Sequence, residues 1–225
     1  MRKFILLSEK SWHDDMFVEL SARSDESWKR IRFKDEFNID TLNRFRPEKI
    51  FIPHWSYIIP NEIWINFNCV VFHMTDLPFG RGGSPLQNLI VRGLKRTKIS
   101  AIKVNEGIDS GDIYLKSDLD LSGTAKEIFT RSVPIIQKMI SSIIDLKLEP
   151  HSQEGEAVQF IRRKPEQSDI SALCTLGEVY DYIRMLDCEG YPNAFLETSH
   201  FKYEFTNCIV RSDNSLEANV RISKK

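Results

Sequence analysis

The sequence predicts an α/β fold: a Rossmann-like, mostly parallel sheet followed by a short C-terminal helix and a β-hairpin extension. Three observations predict it. The short apolar runs Phe4–Leu7, Ile50–Ile52 and Cys69–Phe72 have the continuous hydrophobicity of strands buried on both faces. Segments of helical character separate them, and such alternation belongs to a doubly wound parallel sheet. Beyond residue 200, polar and apolar residues instead alternate, as in antiparallel strands that are wet on one side.

Taken in order, residues 1–8 form the first strand. No GxGxxG follows it, so the dinucleotide fingerprint is absent and an NAD or FAD enzyme is disfavoured. Trp28 to Phe33 gives a second strand, and Asn38 to Arg46 a helix that Pro47 ends. Ile50 to Ile52 is a strand running into Pro53-His54-Trp55, and Asn61 to Phe67 a short helix. Cys69 to Phe72 is the most apolar strand and ends at His73. Ligands of parallel sheets bind at the carboxyl ends of strands, where His54 and His73 both stand.

Pro78, Gly80, Gly82 and Gly83 make a glycine-rich loop. Ser84 then reads as an N-cap with Pro85 at the first helical position, opening a helix to about Leu94. That helix start is either a plain capped terminus or an anion site. Lys98 to Val104 and Ile113 to Leu121 are strands around a second glycine loop, Gly107 to Gly111. A helix from about Thr124 to Leu146 carries an isoleucine-rich stripe, with a kink expected at Pro134. At Pro150 the composition turns polar, which sets a catalytic domain at residues 1–150 and an extension at 151–225. The extension comprises a strap over Gln159 to Asp169, a helix over Leu176 to Leu186, a turn at Gly190-Tyr191-Pro192 and antiparallel strands over 201–222 turning at Ser212-Asp213-Asn214.

Composition excludes several classes. Charged residues are 28% of the 225, yet the net charge is −1, so no basic excess marks a nucleic-acid partner. The four cysteines are scattered without a CxxC, which gives no metal site. The apolar run after Lys3 is shorter than the ~7–15 residues of a signal peptide, and nothing approaches a spanning helix. A cytoplasmic protein with reduced thiols and no membrane partner is the expectation.

The chemistry-bearing residues are His73, just past an apolar strand, and Asp109, in the glycine-flanked loop Glu106-Gly107-Ile108-Asp109-Ser110-Gly111-Asp112. A histidine that carries a proton and a carboxylate that orients it make an acid/base pair for acyl transfer. His73, Thr75-Asp76-Leu77-Pro78, Gly80-Arg81-Gly82-Gly83, Pro85-Leu86-Gln87 and Gly107 to Asp112 follow one another in an order that resembles the folate-dependent formyltransferases. Tyr57-Ile58-Ile59-Pro60, Arg162-Arg163-Lys164-Pro165-Glu166 and Tyr191 to Phe195 extend the likeness over about residues 47–196.

The resemblance implies transfer of a formyl group from 10-formyltetrahydrofolate to an amine, with His73 and Asp109 as the catalytic pair. It implies folate contacts at Tyr57, Ile58, Ile59, Leu77, Gly107 and Ile108, and acceptor contacts at Arg81, Arg162 and Glu166. One position departs from the pattern: Val71 stands where the family carries a catalytic asparagine, two residues before the histidine. Loss of one oxyanion donor costs ~10²–10³ in rate, so His54 is the candidate replacement. For the acceptor, a main domain with a short extension and near-neutral charge resembles the sugar N-formyltransferases of this family, which implies a nucleotide-linked amino sugar without nucleic acid. The small antiparallel unit after residue 200, with little core of its own and open edges, points to a homodimer. The alternatives are a methionyl-tRNA formyltransferase, which carries a larger basic C-terminal domain, and a non-catalytic protein that binds folate or nucleotide sugar.

Overall fold

A computed structural model describes residues 1–225. The chain divides into two compact units that are discontinuous in sequence. One comprises Met1–Gly82, Lys98–Leu119 and Arg131–Gln159; the other comprises Gly83–Thr97, Asp120–Thr130 and Phe160–Lys225. The boundary at residue 150 expected from composition does not coincide with this division, because residues 83–97 and 120–130 pack with the C-terminal third of the chain.

In the first unit, β1 (Arg2–Ser8), α1 (Asp14–Ser21), β2 (Glu26–Ile31), α2 (Ile39–Phe45), β3 (Lys49–His54), α3 (Asn61–Trp64), β4 (Cys69–His73) and the short β5 (Phe79–Gly82) follow one another. α1 had no counterpart in the sequence reading. α2 starts where Asn38 accepts from the Thr41 amide (2.9 Å) and stops where Arg46 turns left-handed at φ 56°, leaving the following proline outside the helix. Strands β2, β1, β3 and β4 lie side by side and parallel, with Ile5 beside Ile50 and Ile52 beside Val71.

The sheet continues through β6 (Arg96–Lys103) and β7 (Ile113–Asp120), but β6 runs antiparallel to β4, pairing Val71 with Ile102 and His73 with Ser100. The doubly wound parallel expectation therefore holds for four strands and ends at β4. Ile5, Leu7, Ile50, Ile52, Ile63 and Cys69 form the core against one face, each at most 2% exposed. Burying such side chains stabilises the fold by about 1.5–3 kcal/mol apiece. α5 (Ala125–Asp145) runs unbroken through Pro134, and its Ile136, Met139, Ile140, Ile143 and Ile144 are buried in this unit.

The second unit holds α4 (Pro85–Val91), β8 (Val158–Phe160) through its last residue, α6 (Leu176–Arg184), β9 (Ala194–Glu197), β10 (Phe201–Val210) and β11 (Leu216–Lys224). Ser84 does not cap α4 with its side chain: it sits at φ 52° and its hydroxyl accepts from the Arg163 amide (3.0 Å). The amide of Gln87 donates to Met185 O (3.1 Å), joining α4 to the end of α6. α6 opens with Thr175 and Glu178 satisfying each other's backbone amides in a capping box. The three last strands form an antiparallel sheet in the order β11, β10, β9, with the expected turn between β10 and β11.

Candidate functional site

His73 ends β4, as expected, and is buried. Its ring is held from two sides. Nε2 lies 2.8 Å from the carbonyl of Gly80, and Nδ1 lies 3.4 Å from Oδ2 of Asp109. A carbonyl only accepts, so Nε2 is the donor there. That bond leaves Nδ1 as the nitrogen that faces the carboxylate and can exchange a proton. Asp109 adopts φ 49°, rare for a non-glycine residue. The same Oδ2 accepts from the amide of Gly82 at 3.0 Å, which takes φ 108° to present it. Thus β5, read from sequence as a loop, brackets the pair: one glycine carbonyl on the histidine, one glycine amide on the aspartate.

The loop after His73 is tied down as well. Ser100 donates to Thr75 O (2.7 Å) and accepts from the Leu77 amide (3.3 Å). Asp76 is ion-paired with Lys98 and Lys116, and burial only partly offsets these partners, so its carboxyl stays below the usual range. The Leu77–Pro78 bond is cis. Leu77 itself is fully buried beside Val71, Ile102 and Ile113. A folate contact at that position is therefore restricted to its backbone.

Val71 lies two residues before His73 on the same strand, so both side chains share a face of the sheet. It packs between two apolar clusters and offers no donor. His54 ends the neighbouring strand, and carrying the Ile52–Val71 register two residues further sets it level with His73. Its observed surroundings are the edge of the Trp12 ring (centroids 5.8 Å apart) and the charges of Lys10 and Glu9. Burial, reinforced by Lys10, pushes its pKa down to about 4, so it is neutral and keeps one N–H donor at neutral pH. His13, hydrogen-bonded to Ser8 Oγ at 2.7 Å, is pushed down to about 3, chiefly by burial.

Of the expected folate contacts, Tyr57, Ile58 and Ile108 leave apolar surface uncovered (45%, 84% and 65% exposed), while Ile59 is buried in the core. A flat aromatic ring needs such uncovered apolar area, so these residues fit a pterin better than Ile59 does. Gly107 is exposed, and its amide donates to Asn105 (3.1 Å). Arg81 is half-buried and its guanidinium is occupied by Gln153 Oε1 (3.1 and 2.8 Å). Arg162 and Glu166 belong to the second unit, where both are exposed and the backbone of Arg162 lies against Gly83. The structure groups no three His, Cys, Asp or Glu side chains to hold a metal, and all four cysteines are free. No helix is long and apolar enough to cross a membrane.

The sequence reading missed Gly80, Gly82 and Gln153. The two glycines act through backbone atoms, which no residue type announces, and Gln153 sits in a polar stretch read as a boundary.

A family model described as "Formyl transferase" matches residues 10–130, and one described as "Methionyl-tRNA formyltransferase, C-terminal domain" matches residues 165–223. The methionyl-tRNA formyltransferase of Bacillus thuringiensis (strain Al Hakam) is 32% identical over 167 residues, covering 70% of this chain and 52% of that protein. The chain thus spans about half the length of the curated relatives it matches. A solved structure titled methionyl-tRNA formyltransferase from Clostridium thermocellum is 50% identical and superposes with a TM-score of 0.97 over 100% of both chains. A 4-N formyltransferase from Francisella tularensis shares the fold at TM-score 0.69 and 15% identity, covering 97% and 96% of the two chains.

Proposed function

This chain belongs to the folate-dependent formyltransferase family, and on that premise we propose that it moves a formyl group from 10-formyltetrahydrofolate to a primary amine. The observation that carries the reading is the His73 ring, anchored at Nε2 by Gly80 O and facing Asp109 with Nδ1. 10-Formyltetrahydrofolate supplies the formyl carbon, joined to a nitrogen that must leave with a proton. In this reading the acceptor amine attacks that carbon, a new N–C bond forms, and the old one breaks. His73 Nδ1 holds the proton lost by the amine and returns it towards the departing nitrogen. Asp109 keeps the ring in register and stabilises its charged form, help typically worth ~10²–10⁴-fold. His54 donates to the formyl oxygen in place of the asparagine absent at Val71.

For the acceptor, support favours methionyl-tRNA over the amino sugar expected from the sequence. It comes from the C-terminal match over residues 165–223 and from the likeness at 50% identity that covers 100% of both chains. The likeness to the 4-N formyltransferase, at 15% identity, concerns the fold alone. One observation keeps the amino sugar as the second reading: the net charge of −1 provides no general attraction for a polyanion. Incubation with 10-formyltetrahydrofolate and, in parallel, methionyl-tRNA or a panel of nucleotide-linked amino sugars decides between them by kcat/KM. Formylmethionyl-tRNA as the dominant product supports the first reading, and a formylated sugar the second. Binding of donor and acceptor with no formyl product rejects catalysis altogether.

A further inference from the structure

We infer that Gln153 is a positioning residue for the catalytic aspartate, acting with Arg81 as a clamp on the Asp109 loop; this rests on the formyl-transfer reading above. The loop has reason to need a clamp. Asp109 holds a left-handed backbone at φ 49°, a conformation sterically unfavourable for a non-glycine residue. The neighbouring Gly111 passes so close to β6 that a Cβ there would fall 1.7 Å from Lys103 O. Inside the loop, Asn105 Oδ1 gathers the Gly107 amide (3.1 Å) and the Ser110 hydroxyl (3.0 Å). Those bonds shape the loop but do not aim it at His73.

The aiming contacts come from outside. Gln153 Nε2 donates to Asp109 O at 2.9 Å and to Gly111 O at 2.8 Å, so both hydrogens of one amide straddle the catalytic residue. Its Oε1 accepts the two-pronged bond from Arg81. Arg81 lies between Gly80, whose carbonyl holds His73, and Gly82, whose amide holds the Asp109 carboxylate. Three consecutive residues of β5 therefore secure both partners: Gly80 the histidine, Gly82 the carboxylate, and Arg81 the Asp109 backbone by way of Gln153. Gln153 also has no spare polar group here, since both hydrogens and the oxygen are used. This arrangement redefines Arg81, expected from the resemblance to meet the acceptor, as a residue that braces the loop.

A side chain that sets geometry without touching the reacting atoms should change kcat and leave KM largely alone, and a misplacement near 1 Å costs up to ~10²-fold. Gln153→Ala is expected to lower kcat about 10- to 100-fold with KM within about threefold of wild type. Gln153→Glu supplies the discriminating arm. It retains an oxygen for Arg81 but aims a carboxylate at the Asp109 and Gly111 carbonyls, so it should be no better than alanine. Recovery of wild-type kcat in Gln153→Glu would overturn the clamp, because pairing with Arg81 alone would then suffice.

Amide hydrogen exchange of residues 105–112 gives a readout independent of turnover, and faster exchange in Gln153→Ala is expected. Unchanged exchange together with unchanged kcat rejects the proposal. Faster exchange with wild-type kcat rejects it too, by showing that the loop's placement does not limit catalysis. If the wild-type protein formylates neither acceptor, the formyl-transfer reading fails. The clamp is then judged by exchange alone and falls if exchange is unchanged.

Discussion

Replacing Asp109 by asparagine is the most direct test of the pair. The substitution keeps size and an Oδ1 acceptor for the Gly82 amide, so the loop stays in place while the charge is lost. The magnitude follows from the 3.4 Å separation of Oδ2 and Nδ1. A unit charge pair at that distance is worth about 1 kcal/mol at the dielectric of water and about 5 kcal/mol at an effective value of 20. The two side chains are 8% and 18% exposed, which favours the middle of this interval over its aqueous end. Roughly 3 kcal/mol, spent in states where His73 is protonated, corresponds to about 10²-fold in kcat at 1.36 kcal/mol per tenfold. Release of tetrahydrofolate followed by absorbance gives kcat, and circular dichroism verifies that the variant is folded. A folded Asp109→Asn protein with kcat within about threefold of wild type would refute the reasoning.

Four further outcomes are expected. His54→Ala should lower kcat much more than it weakens folate binding, because an oxyanion donor acts in the transition state; equal losses in both, or a loss of melting temperature alone, would make the residue structural. His13 and His54, depressed to about 3 and about 4, stabilise the fold fully above the unfolded value near 6.5. Stability should fall between pH 6.5 and about 4 by about 1.4 kcal/mol per pH unit for each, a slope that urea titrations at stepped pH would measure and that His13→Gln should reduce. In the second unit, Arg184 is 3% exposed and donates to Leu121 O (2.7 Å), Gly123 O (2.8 Å) and Asp181 (2.6 Å); Arg184→Ala should cost about 3–5 kcal/mol in denaturant unfolding, and a cost near zero would show those groups find other partners. The hairpin of β10 and β11 exposes Phe201, Ile209, Val220 and Ile222, so self-association is expected, and a monomer by light scattering at micromolar concentration would reject it.

The sequence by itself determined most of the local elements and the order of the residues on which the proposed chemistry rests. Apolar runs located β1, β3 and β4, the stretches from Asn38 and from Leu176 marked α2 and α6, and the order of motifs singled out His73 and Asp109, which the fold sets 3.4 Å apart. These features are legible because strand burial, capping and turn chemistry are decided within a few residues of chain. α1 escaped because it spans only eight residues, Asp14–Ser21, of which Met16 and Leu20 are buried, and so short a helix is held by packing rather than by its own propensity.

What joins distant parts of the chain was settled by tertiary structure alone. The antiparallel entry of β6, the grouping of residues 83–97 and 120–130 with the C-terminal third, and the hold of Gly80, Gly82 and Gln153 on the pair all belong here. Among strands buried on both faces, direction leaves no mark on the hydrophobic pattern, since the burial is the same either way. Backbone donors and acceptors exist at almost every residue, so which of them meets an imidazole or a carboxylate depends on the folded path. A half-buried glutamine in a polar stretch resembles any surface glutamine until the Asp109 loop is set against it.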